Sequence, residues 1–241
     1  MIDLHCHILP GVDYDGPRSV DESAEMLRIA ASEGIRAIAA THHFNAEENT
    51  PESYLSDLQN GLERLQPALV ELELDIHILS GAEVYISPVL LSTDGLDKLC
   101  INKSRYLLIE LPMLDIPQYT EEVIYSLRLK DMVPIIAHPE RNRRIAKNPE
   151  LLSSLIKLGA LSQVNTGSIT GLIGREAQRC AKYLFSENLA HFVSSDAHNT
   201  RKRVPHIKNA AKLLSRWVGK AAAERILYDN PDAVVKDVFI E

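Results

Sequence analysis

Short apolar runs in this chain end, one after another, on side chains that bind metal ions. Met1-Ile2-Asp3-Leu4 leads into His5-Cys6-His7. Later runs close on Thr41-His42-His43, Gly81-Ala82-Glu83, Leu108-Ile109-Glu110, Ala137-His138 and Ser194-Ser195-Asp196-Ala197-His198. In an extended strand alternate side chains share a face, so His5 and His7 point the same way and can grip one ion. Asp196 and His198 repeat that two-residue spacing. Delivering imidazole and carboxylate from many strand ends to one place requires the strands to run in parallel.

The segments between these runs read as helices. Strands are expected near Ile2–Leu4, Arg36–Ala40, Asp75–Ser80, Tyr106–Ile109, Val133–Ala137, Leu161–Asn165 and His191–Ser195. Helices are expected near Val20–Glu33, Pro51–Glu73, Tyr119–Lys130, Pro149–Leu158, Gly174–Glu187 and Pro205–Lys212, with Ser87–Ile101 a short helix and a loop. In the first helix Met26, Leu27, Ile29, Ala30 and Ala31 make a broad apolar face, and Gly34 follows as a natural C′ residue. Strand and helix alternating in this way predict parallel strands joined by crossover helices. Seven such units with functional residues after the strands predict an α/β fold, a (β/α) barrel whose site lies at the C-terminal face of the strands. An open doubly wound sheet is the alternative, but it gathers ligands at one switch point and not from nearly every strand. The length of 241 residues, with no linker or low-complexity tract, suits a single domain over residues 1–241.

Glu110 sits between Leu107-Leu108-Ile109 and Leu111-Pro112, and His138 follows Pro134-Ile135-Ile136-Ala137. A lone charge buried in such surroundings is costly, so these groups are expected to be paired or coordinated. The mixed nitrogen and oxygen donors suit divalent Mn, Fe or Zn. A net charge of −7 argues against nucleic acid as the partner. No apolar run approaches a membrane span. Cys6, Cys100 and Cys180 are odd in number and widely spaced, which suggests a reducing compartment and a cytoplasmic location.

The HxH opening, the central glutamates and histidine, and the closing DxH resemble the PHP (polymerase and histidinol phosphatase) family of metallophosphoesterases. The blocks from His5 to Gly11, Gly81-Ala82-Glu83, Arg105-Tyr106 through Glu110, Ile136 to Arg141 and Ser195 to Asn199 are similar to the bacterial PHP-type protein-tyrosine phosphatases of capsule and exopolysaccharide operons. That resemblance covers essentially the whole chain. It implies a distorted, TIM-like (β/α)7 barrel holding two to three divalent ions, commonly manganese, with Fe, Zn, Co or Mg as alternatives. By motif, His5, His7, Glu110 and Asp196 would serve one ion, and Glu110, His138 and Glu83 the next. Glu83, His198, the histidine of the second motif and an aspartate after the HxH loop would serve the third.

Two positions depart from the family pattern. The usual threonine-proline-histidine reads Thr41-His42-His43, and counting from Gly34 makes His43 the ligand and His42 its neighbour. The loop Val12-Asp13-Tyr14-Asp15-Gly16 is one residue longer than usual; aligning on Gly16 selects Asp15, with Asp13 the alternative. Arg141 and Arg203 match the family's phosphate-gripping arginines. The implied activity is metal-dependent hydrolysis of phosphotyrosine, and the implied partner is the tyrosine-rich C-terminal tail of a bacterial tyrosine autokinase that controls polysaccharide assembly. A histidinol-phosphate phosphatase on the same barrel and a non-catalytic docking module are the alternatives. Cysteine-based phosphotyrosine chemistry needs an arginine six positions after the nucleophile, where this chain has Val12, Tyr106 and Ser186.

Overall fold

A computed structural model describes residues 1–240. Nine strands alternate with helices: β1 (Ile2–Cys6), β2 (Ala37–Ala40), β3 (His43–Phe44), β4 (His77–Ser80), β5 (Glu83–Tyr85), β6 (Tyr106–Glu110), β7 (Val133–Ala137), β8 (Leu161–Asn165) and β9 (Phe192–Ser194). The helices are α1 (Val20–Ser32), α2 (Pro51–Leu72), α3 (Thr120–Leu129), α4 (Arg143–Lys147), α5 (Leu151–Lys157), α6 (Thr166–Thr170), α7 (Arg175–Ser186), α8 (Lys208–Val218), α9 (Lys220–Glu224) and α10 (Asn230–Val235). Ser19 caps α1 by accepting from the Glu22 N–H, and Thr50 caps α2 by accepting from the Ser53 N–H just before Pro51. Caps of this kind are worth about 1 kcal/mol each. Gly34, with φ +80°, ends α1 as the sequence predicts. None of the described helices is long and apolar enough to cross a membrane.

All strand pairs are parallel, as expected, but they form two hydrogen-bonded sheets and not one closed one. The first has the order β1-β2-β4 and the second β3-β5-β6-β7-β8-β9. The sheets meet where β2 passes into β3 through Thr41-His42 and β4 into β5 through Gly81-Ala82. There the Tyr54 hydroxyl of α2 lies 2.8 Å from the Gly81 carbonyl oxygen and 3.1 Å from that of His42, which also accepts from the Glu83 N–H at 2.9 Å, so the hydroxyl's one proton is best placed for Gly81. A Cβ on Gly81 would stand 3.0 Å from Thr41 Cγ2, so a larger residue there would crowd Thr41. At the other border the Asp196 N–H donates to the His5 carbonyl and the His7 N–H to that of Ala197, each at 2.8 Å.

Alternation along β6 shows how the fold positions the site. Leu107 and Ile109 pack into the large apolar cluster under the helices, whereas Tyr106 and Leu108 join a second cluster with Leu4, Ile135 and Phe192. Glu110 continues the second face, so the strand carries it from an apolar floor to the mouth above. On β7, Val133, Ile135 and Ala137 share that second cluster, and His138 follows directly.

Two expectations need correcting. Residues 87–101 hold no α-helix but short 3₁₀ turns, Pro88–Leu91 and Leu96–Leu99, with Ile101–Lys103 following. Ser92 and Thr93 bond back to the Val89 carbonyl, a local alternative to helix continuation, and Gly95 adopts φ +77°. The last long helix starts at Lys208 and not Pro205, and it runs to Val218 because Leu213, Leu214, Trp217 and Val218 continue its apolar face into the core.

Candidate metal centre

Nine donor residues gather at the C-terminal ends of the strands. His5 and His7 come from β1 and its exit, His43 from β3, Glu83 from β5 and Glu110 from β6. His138 follows β7, Asp196 and His198 follow β9, and Asp15 reaches in from the loop after β1. His5, His7, Glu83, Asp196 and His198 are all at most 2% exposed, so their charges and lone pairs face each other and not bulk water. His5 Nε2 lies 3.2 Å from Glu83 Oε1 and 3.4 Å from Asp196 Oδ1. His7 Nε2 lies 3.4 Å from Glu83 Oε2, and His43 Nδ1 lies 3.0 Å from the same oxygen. His138 Nε2 is 2.8 Å from Glu83 Oε1 and 3.9 Å from Glu110 Oε1. His198 Nε2 is 3.3 Å from Asp15 Oδ2. Glu83 is therefore the hub, touching four histidines that arise from three different strands.

The direction of the hydrogen bonds behind the site fixes which ring nitrogens are free. Asp196 Oδ2 can only accept, so the Asn165 amide must donate to it, at 2.6 Å. Asn165 Oδ1 then accepts from the Gln163 amide at 2.9 Å, and Gln163 Oε1 accepts from His5 Nδ1 at 2.9 Å. His5 is left with the lone pair of Nε2 aimed into the site. Asp13 does the same for His7, taking a bond from its Nδ1 at 2.5 Å. The two free Nε2 atoms then face each other at 3.3 Å. Two lone pairs held that close repel unless a cation lies between them. Carboxylate and amide partners behind a histidine are the usual arrangement for orienting a metal-ligating ring.

The same geometry separates the ambiguous residues. Asp13 Oδ2 also accepts from His42 Nδ1 at 2.7 Å, and Asp13 Oδ1 accepts from the His43 N–H at 3.1 Å. His42 Nε2 accepts from the Leu9 N–H at 3.0 Å, so both of its nitrogens are used within the protein. By contrast Asp15 Oδ1 is buried with no hydrogen-bond partner among the described residues, and His198 Nε2 meets only Asp15 Oδ2, at 3.3 Å and outside hydrogen-bond geometry. Asp15 and His43 thus face the donor cluster, while Asp13 and His42 stand behind it.

The electrostatics point to missing positive charge. Burial works to lower the pKa of His5, yet Glu83 and Asp196 outweigh it and lift the group to about 10. Burial likewise opposes protonation of His43, but the bond to Glu83 raises it to about 9. Burial raises the pKa of Glu110, with the neighbouring Glu83 adding to the shift. A carboxylate field that would force protons onto imidazoles is one that divalent cations relieve, since they take the same lone pairs. Groups of donor atoms within 4.8 Å of one another occur at His5, His7 and Asp196, at His5, Glu83 and His138, and at His7, His43 and His198. The donor chemistry and the orphaned atoms fit metal ions. His138 and Asp196 also hold left-handed backbone, with φ +31° and +52°, uncommon for such residues and costing about 1–3 kcal/mol each.

Above the donors lie two arginines. Arg141 Nη1 is 2.9 Å from Asp196 Oδ2, and Arg203 Nη2 is 2.6 Å from Asp196 Oδ1, with Arg203 Nη1 3.4 Å from Asp15. They border a cavity of about 480 Å³ whose walls include Tyr14, Phe44, Tyr85 and Met113. Asn165, Gln163 and the His7-orienting role of Asp13 were missed by sequence reasoning. The signal was present: Gln163-Val164-Asn165 puts two polar side chains on one face of the strand that supplies no ligand.

Imidazoles and carboxylates converging beside a pair of arginines form donor groups that could hold metal ions. Comparison with known proteins agrees: residues 1–236 match the family described as "Capsular polysaccharide synthesis, CpsB/CapC", and the chain belongs to it. The tyrosine-protein phosphatase YwqE of Bacillus subtilis is 40% identical over 243 residues, covering 100% of this chain and 93% of the relative. The tyrosine-protein phosphatase CpsB of Streptococcus pneumoniae is 30% identical, with 100% of both chains covered. A solved structure from work on YwqE and CpsB, described there as unique metal-dependent tyrosine phosphatases, superimposes with a TM-score of 0.91 at 37% identity. That match covers 100% of this chain and 96% of the other.

Proposed function

We propose that this chain is a metal-dependent protein-tyrosine phosphatase. One observation carries the reading: buried donors with free lone pairs are gathered around Glu83, beside two arginines that line the same cavity. His5, His7 and Asp196 would hold one ion, Glu83, Glu110 and His138 a second, and Asp15, His43 and His198, with Glu83, a third. When bound, such ions supply a nucleophile from water at neutral pH and neutralise charge on phosphoryl oxygens. The chain's own residues do the rest. Asp13 and Gln163 hold the rings of His7 and His5 in ligating orientation. Arg141 and Arg203 present guanidinium forks that fit the equatorial oxygens of the transferring phosphoryl group and stabilise its charge in the transition state.

The walls fit an aryl ester. Tyr14, 84% exposed, lies roughly parallel to the His43 ring at 6.4 Å between centroids, and Tyr85 and Met113 line the same cavity. A phenolate leaves with a pKa of about 10, so the demand for a general acid is modest. The fold reading that goes with this function is a single domain over residues 1–241, with the two sheets forming a distorted (β/α)7 barrel joined through the β1–Ala197 contacts. Manganese, a cytoplasmic setting and the phosphotyrosine tail of a capsule-controlling tyrosine kinase complete the proposal.

The test is elemental analysis beside steady-state kinetics on protein reconstituted with each metal. Phosphotyrosine peptide should turn over in a chelator-sensitive reaction, with phosphoserine peptide and histidinol phosphate far behind. Faster hydrolysis of histidinol phosphate would transfer the assignment to that activity. Stoichiometric ions with no turnover of any aryl phosphate would leave a docking module.

A further inference from the structure

A second cleft opens on the far side of the arginine pair. It measures about 670 Å³, shares Arg141, Arg203 and Asp196 with the metal centre, and is bordered by Arg201 and Lys202. The side chains of Arg201 and Lys202 are exposed, and among the described residues neither has a carboxylate within salt-bridge distance. Asp196 is the one acidic group in the lining, and it is already engaged by both shared arginines. A basic cleft is conspicuous on a chain whose net charge is −7.

Its construction separates two roles within one short turn. Asn199 Oδ1 accepts from the backbone N–H groups of Arg201, Lys202 and Arg203, and the His198 and Asn199 N–H groups both donate to the Arg203 carbonyl. The turn sends Arg203 inward to Asp196 and leaves Arg201 and Lys202 facing the cleft. The lining also holds Leu172 and Ile173, 80% and 44% exposed. Cationic and apolar groups thus line one cleft, which shares Arg141 and Arg203 with the place where a phosphoryl group would be gripped.

We propose that this cleft is a subsite for the polypeptide flanking a phosphotyrosine, and that it selects flanks with acidic side chains. The inference rests on the phosphatase reading and adds a specificity to it. An extended chain advances about 3.3 Å per residue, so acidic groups within a few positions of the phosphotyrosine reach a neighbouring cleft. Arg201 and Lys202 pair with those carboxylates, while Leu172 and Ile173 cover the apolar parts of the segment. Exposed pairs are individually weak and sensitive to salt, so the effect is expected on capture and not on the chemical step.

The metal-loaded enzyme is assayed with three substrates: p-nitrophenyl phosphate, a phosphotyrosine peptide with glutamates on both sides, and the same peptide with glutamines. The parent enzyme should show a lower KM for the glutamate peptide, with a preference that fades as salt rises. The double variant Arg201→Glu, Lys202→Glu should raise that KM roughly five- to twentyfold, leaving kcat and p-nitrophenyl phosphate kinetics unchanged. Leu172→Ser should raise KM for both peptides and not for the small ester. Equal kcat/KM for the two peptides in the parent enzyme overturns the subsite alone, as does a double variant that loses activity equally on all three substrates. If p-nitrophenyl phosphate is cleaved and neither peptide is, the protein-phosphatase reading itself falls.

Discussion

Two clusters of aspartate and histidine lie side by side behind the first loop, and they differ in whether the protein uses up their polar atoms. In the cluster of Asp13 and His42, every ring nitrogen and carboxylate oxygen has a partner: His7, His42, the His43 N–H and the Leu9 N–H. In the cluster of Asp15 and His198, Asp15 Oδ1 is buried without one, and His198 Nε2 has only the Asp15 carboxylate at 3.3 Å, outside hydrogen-bond geometry. Burial alone does not mark a ligand, because both clusters are shielded. A buried polar atom left unpaired costs about 1–3 kcal/mol, and a fold retains that cost where something else binds. The first cluster is scaffold and the second is where cations are expected.

The strongest way to break this comparison is at the hub. Glu83→Gln keeps the shape but removes the charge that faces His5, His7, His43 and His138. Turnover should fall roughly 10²–10³-fold or more, with metal content falling alongside. Full activity at unchanged metal stoichiometry would mean that the cluster is structural. Asp13→Asn comes next. Asp13 touches no free lone pair but sets the His7 ring, and loss of such support typically costs 10–100-fold in metal affinity or activity, about that range being expected here. A metal titration followed by activity separates this from the hub: excess metal should rescue Asp13→Asn and not Glu83→Gln.

Much of this was legible in the sequence because parallel strands alternate faces and stop on their functional residues. All seven expected strand segments are present, and Arg141 and Arg203 stand over the donors named with them. What the letters could not show was the side of the cluster on which a group falls. His42 and His43 are adjacent and chemically identical, and only the Leu9 N–H and the turn after β2 decide that His42 faces backward. Asp13 and Asp15 are separated in the same way, by which of them reaches His7. The breaks that turn β2 into β3 and β4 into β5 were equally hidden, because they go with a tertiary contact of the Tyr54 hydroxyl on α2 with the Gly81 and His42 carbonyls that strand alternation does not show. Residues 87–101 were misread because serine and threonine hydroxyls compete for a backbone carbonyl there.

A smaller effect sharpens the contrast from the scaffold side. His42→Gln removes the bonds to Leu9 and Asp13 without removing a proposed ligand, so it should cost about 1–3 kcal/mol of stability. Metal stoichiometry at saturating metal should be unchanged, whereas His43→Gln should lower it. If urea unfolding shows His42→Gln as stable as the parent while an ion is lost, the assignment of the two histidines must be exchanged.

The last prediction uses a histidine at the opposite end of the strands. His191 precedes β9, its Nδ1 accepts from the Ser162 N–H, and burial together with Arg225 pushes its pKa down to about 4. At the mouth, in contrast, carboxylates lift His5 to about 10. With the folded value below the unfolded one of about 6.5, the neutral form of His191 contributes fully above that pH. The contribution is then lost as pH falls toward about 4. Linkage across that window amounts to roughly 2–3 kcal/mol for a mostly buried imidazole. Urea unfolding of metal-free protein at about pH 7.5 and about pH 5, on either side of the unfolded pKa, should therefore show His191→Gln losing less stability on acidification than the parent. Parallel losses would place the acid sensitivity wholly in the donor cluster, where protons and cations compete for the same lone pairs.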